Sequence, residues 1–190
     1  MQTSKQTTRA LSQLGAAAAL VLGLAAAQPA QAIDTIAFEL GTGDDGADRV
    51  GLAVQWDWNK RWFDTGDWYL GGYWEVSASY WDADEGRTGT DSLVEAGAAP
   101  VFRFQRDAAT ANVAPFIELG VGVHLMSETE LEDRDFDINF AFGSHLGAGL
   151  RFGTRNQYEI SYRYQHLSNA SIGDSNPGID FHILRLGYRF

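Results

Sequence analysis

His166 and Ser168 lie two positions apart, and a carboxylic acid, Asp180, follows before the chain ends. A serine hydroxyl is a weak nucleophile until a neighbouring base takes its proton. An imidazole base in turn needs an acid to hold its tautomer and orientation. The three residue types together suit acyl transfer through a serine ester. A His-x-Ser pair means this only if both side chains share a face and the acid returns to it. On a β-strand, residues two apart do share a face, with Cα atoms about 6.6 Å apart.

The elements that must position these residues are read from periodicity and composition. Residues 1–32 have the form of a secretory signal peptide: Lys5 and Arg9, an apolar stretch from Leu14 to Ala27, and the small-residue site Ala30-Gln31-Ala32. The stretch is short of the roughly 20 residues that span a bilayer as a helix. Cleavage is expected to leave one domain, residues 33–190, starting at Ile33. The chain has no cysteine, which removes disulfide, zinc-thiolate and thiol chemistry. Its net charge of -11 argues against nucleic acid as a partner. A mean hydropathy of -0.22 is compatible with a transmembrane barrel, because only alternate residues of such a strand face lipid.

Beyond residue 32 the apolar residues recur with period two, in eight segments. They run near Ile36–Thr42, Arg49–Trp58, Trp68–Trp81, Ser92–Phe104, Asn112–Met126, Phe136–Phe152, Gln157–Ser168 and Ile179–Phe190. In the fifth, Ile117, Leu119, Val121, Val123 and Leu125 oppose Glu118, Gly120, Gly122 and His124. In the sixth, Phe136, Phe140, Phe142, Leu146 and Leu150 oppose Asp137, His145 and Arg151. The second face also carries Glu75, Glu95, Arg103, Glu159 and Arg163, too much charge for a dry core. The expected fold is all-β: an eight-stranded antiparallel outer-membrane barrel, apolar outside, with paired charges and small residues inside.

The terminal run Leu184, Leu186, Tyr188, Phe190 resembles the signal read by the outer-membrane assembly machinery, which puts both chain ends in the periplasm. The connections Gly43–Asp48, Asp82–Asp91, Ser127–Arg134 and Asn169–Gly178 then face outward. The first three are acidic and read as solvated loops; none has the spacing of an EF-hand calcium loop.

The same parity applied to the last two segments sends Tyr162, Tyr164, His166 and Ser168 to the lipid side, together with Asp180, His182 and Leu184. Polar groups on a lipid face are costly and need a reason. His124 and His145 fall on the interior parity, and Ser161 points inward. His182 lies beside Asp180 and competes with His166 as its partner, although His166 is closer to Ser168 and to the loop. Ser171 and Ser175 lie in the loop with no histidine on the same strand. Most of the Trp and Tyr residues fit interfacial girdles.

The segment Tyr162–Phe190 resembles the C-terminal signature of the lipid A 3-O-deacylase family, of the PagL type. The matching elements are His166-x-Ser168-Asn169 and Asn176-Pro177-Gly178. The resemblance implies an eight-stranded barrel in the Gram-negative outer membrane that hydrolyses the ester-linked acyl chain at position 3 of lipid A. It implies no cofactor and no metal. Lipid A, as lipopolysaccharide, would be the substrate among outer-membrane lipids, and room is left for a homodimer. By the same resemblance Ser168 is the nucleophile, His166 the base and Asp180 the acid, where many members carry Glu. Asn169 and Asn176 match site asparagines. An amide donor near Ser168 could stabilise the oxyanion of a tetrahedral intermediate, whereas as turn residues the same asparagines need no further role. The competing readings are a non-catalytic barrel for adhesion or envelope anchoring and, third, an acyltransferase, for which no phospholipid donor site is visible.

Overall fold

Strict alternation leaves these segments one stable solution, a closed sheet with its apolar side outward. A computed structural model of the chain describes residues 32–83, 90–109 and 111–190. All but the last residue of the expected signal segment lies outside the described residues. The barrel strands are β1 (Thr35–Gly43), β2 (Ala47–Asp57), β3 (Trp68–Ala83), β4 (Ser92–Arg106), β5 (Val113–Met126), β8 (Phe140–Phe152), β9 (Tyr158–Ser168) and β10 (Ile179–Arg189). Between β5 and β8 a separate hairpin is formed by β6 (Glu130–Leu131) and β7 (Arg134–Asp135). Sequential barrel strands pair antiparallel, and β1 pairs with β10 from Thr35↔Arg189 to Gly43↔Phe181. Closure matters because lipid offers an open sheet edge no hydrogen-bond partner.

The outer wall is the expected apolar one: Ile117, Leu119, Val121, Val123 and Leu125 of β5 are exposed, while Glu118 and His124 between them are buried. Charges in the lumen pair off, since a buried charge without a partner is strongly destabilising. Arg103 bonds Glu118 and Glu159, each at 2.7 Å. Arg163 bonds Glu75 at 2.7 Å and Glu118 at 2.9 Å. Arg185 bonds Glu39 at 2.7 Å and Glu75 at 2.6 Å. His124 and His145 are both interior, as their parity requires.

Two details differ from the sequence expectation. The sixth segment begins its strand at Phe140, not Phe136. Phe136 does not face lipid; it turns into the mouth of the barrel and is buried. The lumen is also not polar throughout. Its extracellular end is filled by Trp81, Leu93, Leu167, Ile179, Phe181 and Ile183, with Leu131 and Phe136 folded in from the loop above. The reason is burial: these residues sit on the inward parity near the strand ends, and the loop supplies an apolar cap that keeps them from water. The last hairpin is thus braced from inside by Leu167, Ile179 and Phe181.

Candidate active site

Because Leu167, Ile179 and Phe181 point inward, their neighbours His166, Ser168 and Asp180 must point outward. The β9–β10 ladder sets His166 directly opposite Asp180. His166 Nδ1 stands 2.6 Å from Asp180 Oδ1. Both side chains are accessible from the outer wall, at 48% and 31% exposure. The second ring nitrogen, Nε2, is therefore the one left for a reacting group. Tyr164 lies on the same outward face, opposite His182.

Two serines flank His166. Ser168 closes β9, one outward position nearer the extracellular end, and pairs with Phe142 of β8. Ser144 of β8 pairs with His166 itself. The imidazole leans away from Ser144, toward Asp180 on β10. Its Cε1–Nε2 edge faces Gly178: a Cβ built there would lie 3.0 Å from Cε1 and 3.6 Å from Nε2. Gly178 immediately precedes β10, on the level of Ser168 in the ladder. Nε2 thus lies on the edge of the ring nearer Gly178, and no hydrogen bond joins it to Ser168. Sequence reasoning missed Ser144 because alternation alone does not set the β8–β9 register.

Asn169 is buried, and its Nδ2 donates to the Phe136 carbonyl at 3.0 Å and the Ser175 carbonyl at 2.6 Å. Its Oδ1 accepts the Ser171 N–H at 2.9 Å. With these bonds made, the side chain holds the loop's shape and supports Ser168 from behind. Asn176 is exposed; its Oδ1 accepts the Asn169 N–H at 2.9 Å, and its Nδ2 reaches Ser171 Oγ at 3.5 Å. So long a bond leaves that amide with donor capacity in the loop that follows Ser168. His182 pairs with Tyr164 across the ladder. Its Nδ1 meets the Tyr162 hydroxyl at 2.5 Å, one turn of the pleat below Asp180. Of the two outward histidines, it is His166 that meets the acid.

Asp44, Asp45 and Arg134 join the site from elsewhere in the sequence. Asp44, in the 3-10 turn Asp44–Gly46, accepts the Asp180 backbone N–H at 3.2 Å. Arg134 bonds both the Gly178 carbonyl and Asp45. Gly178 itself has a φ of +62°, which L side chains rarely adopt. On the outer wall next to His182 an open groove of about 640 Å³ runs between β10 and β3, lined by Leu40, Val50, Tyr80, Tyr162 and Leu184.

Another serine, acid and histidine meet inside the barrel. Ser79 Oγ donates to Glu95 at 2.6 Å, and Glu95 meets His124 Nδ1 at 2.5 Å. There the acid lies between the serine and the histidine, whereas a catalytic triad has the histidine in the middle. All three are buried, and Arg49 closes over Glu95 at 3.5 Å. This set is part of the lumen's hydrogen bonding.

A family model described as lipid A 3-O-deacylase (PagL) matches residues 48–189. The lipid A deacylase PagL of Pseudomonas aeruginosa is 36% identical over 156 residues, covering 82% of this chain and 85% of that protein. The lipid A deacylase PagL of Bordetella bronchiseptica is 36% identical over 116 residues, or 61% of each chain. A crystal structure of the outer membrane enzyme PagL superimposes with a TM-score of 0.74 at 29% identity, over 82% of this chain and 99% of that one.

Proposed function

The chain belongs to the lipid A 3-O-deacylase family, PagL, and we propose that Ser168, His166 and Asp180 carry out its ester hydrolysis. The protein is an outer-membrane hydrolase that removes an acyl chain ester-linked to lipid A. One observation carries the assignment of residues. An ionisable acid–imidazole pair, bonded at 2.6 Å, stands on the outward wall of a membrane barrel with one imidazole nitrogen open. Such groups are costly in lipid and mark function. At the extracellular end of the wall they meet a substrate whose sugar and acyl parts join at the boundary between water and hydrocarbon.

In this reading Ser168 Oγ attacks the ester carbonyl as its proton passes to His166 Nε2. Asp180 holds the Nδ1 proton and stabilises the imidazolium. The Asn176 amide is the side-chain donor suited to the oxyanion. The acyl–oxygen bond to the sugar then breaks, and His166 returns the proton to the sugar oxygen. The acyl group stays on Ser168 until a water, deprotonated by His166, releases it as a fatty acid. The groove beside His182 and the exposed Phe142 beside the serine offer hydrocarbon surface to the substrate's chains. Ser168, His166 and Asp180 come from one hairpin of one chain, so a homodimer would carry two complete sites. A barrel serving only adhesion would leave the exposed acid–imidazole pair without a role.

Ser168 is preferred to Ser144 because the Nε2 edge of His166 lies nearer Gly178, on the level of Ser168 in the ladder, and because the amides lie in its loop. An active-site-directed fluorophosphonate discriminates them. The adduct should map to Ser168 within the tryptic peptide Tyr164–Arg185, and denaturation should abolish it. An adduct on Ser144, in the peptide Asp135–Arg151, would transfer the nucleophile's role.

A further inference from the structure

The loop between β5 and β8 is anchored at two points around Arg134. Leu131 and Phe136 are buried in the apolar plug, and the Phe136 carbonyl accepts a bond from Asn169. Arg134 therefore extends from a fixed backbone. It is the one basic residue between Ser127 and Asn139, a stretch otherwise rich in acids. Its side chain is 17% exposed and reaches two other loops at once. Nη1 donates to the Gly178 carbonyl and Nη2 pairs with Asp45, with Asp44 Oδ2 3.9 Å away.

Both contacts lead to the same place. Gly178 backs the open edge of His166. Asp44, the neighbour of Asp45, accepts the Asp180 N–H at 3.2 Å. A glycine turn has no side chain to restrain it, and a charge-assisted bond to its carbonyl supplies that restraint. We propose that Arg134 is a positioning residue for the His166–Asp180 pair, clamping the Gly178 turn against the imidazole and fixing the first loop under the acid. The inference rests on the triad reading above. It assigns Arg134 no contact with the substrate.

The test compares the wild-type chain with Arg134→Ala and Arg134→Lys, purified from outer membranes into detergent. A lysine is a single point donor and cannot reproduce the two-armed contact of the guanidinium. Two quantities are measured: kcat and KM for fatty-acid release from lipid A, and the rate of fluorophosphonate labelling at Ser168. For Arg134→Ala both kcat and the labelling rate should fall about 10- to 100-fold, the scale expected for displaced catalytic groups. KM should stay within about twofold, as binding itself is untouched. Arg134→Lys should lose less. Added guanidinium ion should partly restore Arg134→Ala and leave the wild type unchanged.

Absence of Ser168 labelling in the wild type would overturn the triad reading itself. Normal wild-type labelling with equal rates in both variants would overturn the Arg134 inference alone. So would a rise in KM at constant kcat, which would assign Arg134 to substrate binding. If both variants lost the heat-resistant compact form on gels, Arg134 would be a structural tie and the inference would also fall.

Discussion

His166 Nδ1 and Asp180 Oδ1 are 2.6 Å apart because the β9–β10 register makes the two residues direct partners on the outer face. The bond fixes which nitrogen of the ring stays open, and in the proposed triad Asp180 thereby sets the tautomer of the base. Asp180→Asn should lower kcat strongly, about 1,000- to 10,000-fold, by favouring the wrong tautomer. Asp180→Glu should keep activity, since a carboxylate is retained. Turnover measured in detergent for both variants checks this. A fully active Asn variant would mean that another carboxylate orients the base.

The two outward histidines should separate cleanly. On the proposed triad, His166→Asn should remove activity across the whole pH range, because Ser168 would lose its base. His182, engaged by the Tyr162 hydroxyl below the acid, should give a folded barrel with a milder defect as His182→Asn. Ester release is measured after heat-shift gels confirm folding. An active His166 variant beside a dead His182 variant would reverse the roles.

Two glycines with positive φ provide a matched pair. Gly178→Ala strains the turn by about 1–2 kcal/mol and brings a methyl group to 3.0 Å from His166 Cε1. Gly66 lies in the connection between β2 and β3, with a φ of +91° and nothing within 4 Å of an added Cβ. Gly66→Ala should cost similar stability and leave turnover unchanged, whereas Gly178→Ala should lower kcat at least tenfold. Equal activity in the two variants would remove Gly178 from the site's support.

Strand number, wall polarity and the outward placement of His166, Ser168 and Asp180 were legible because lipid imposes strict alternation. A parity rule carries each side chain's direction without knowledge of its neighbours. What alternation does not carry is register: any even slide of β8 along β9 preserves the wall, so Ser144 beside His166 was invisible. Loop residues carry no period either. Phe136 looked like one more lipid-facing aromatic in its run, yet a mouth full of Trp81, Phe181 and Leu93 draws it inward. Arg134 meets Gly178 and Asp45 only after three loops have converged, a contact that the intervening chain does not encode locally.

Inside the barrel, Arg103 bonds both Glu118 and Glu159 and is completely buried. Arg103→Met would leave both acids without that partner and should destabilise the fold by about 3–5 kcal/mol. The temperature at which the compact gel form converts to the unfolded one should drop. At low temperature kcat should remain near wild type, as the outer site is far from the lumen's centre. An unchanged transition temperature would show that the network tolerates the loss.

The most direct test of the central claim is mass spectrometry of lipid A from Gram-negative cells that express the wild-type chain, Ser168→Ala or Ser144→Ala at equal levels in the outer membrane. The wild type and Ser144→Ala should each remove one ester-linked hydroxyacyl group from lipid A, and Ser168→Ala should leave lipid A intact. Removal of that group by a folded Ser168→Ala barrel would contradict Ser168 as the nucleophile.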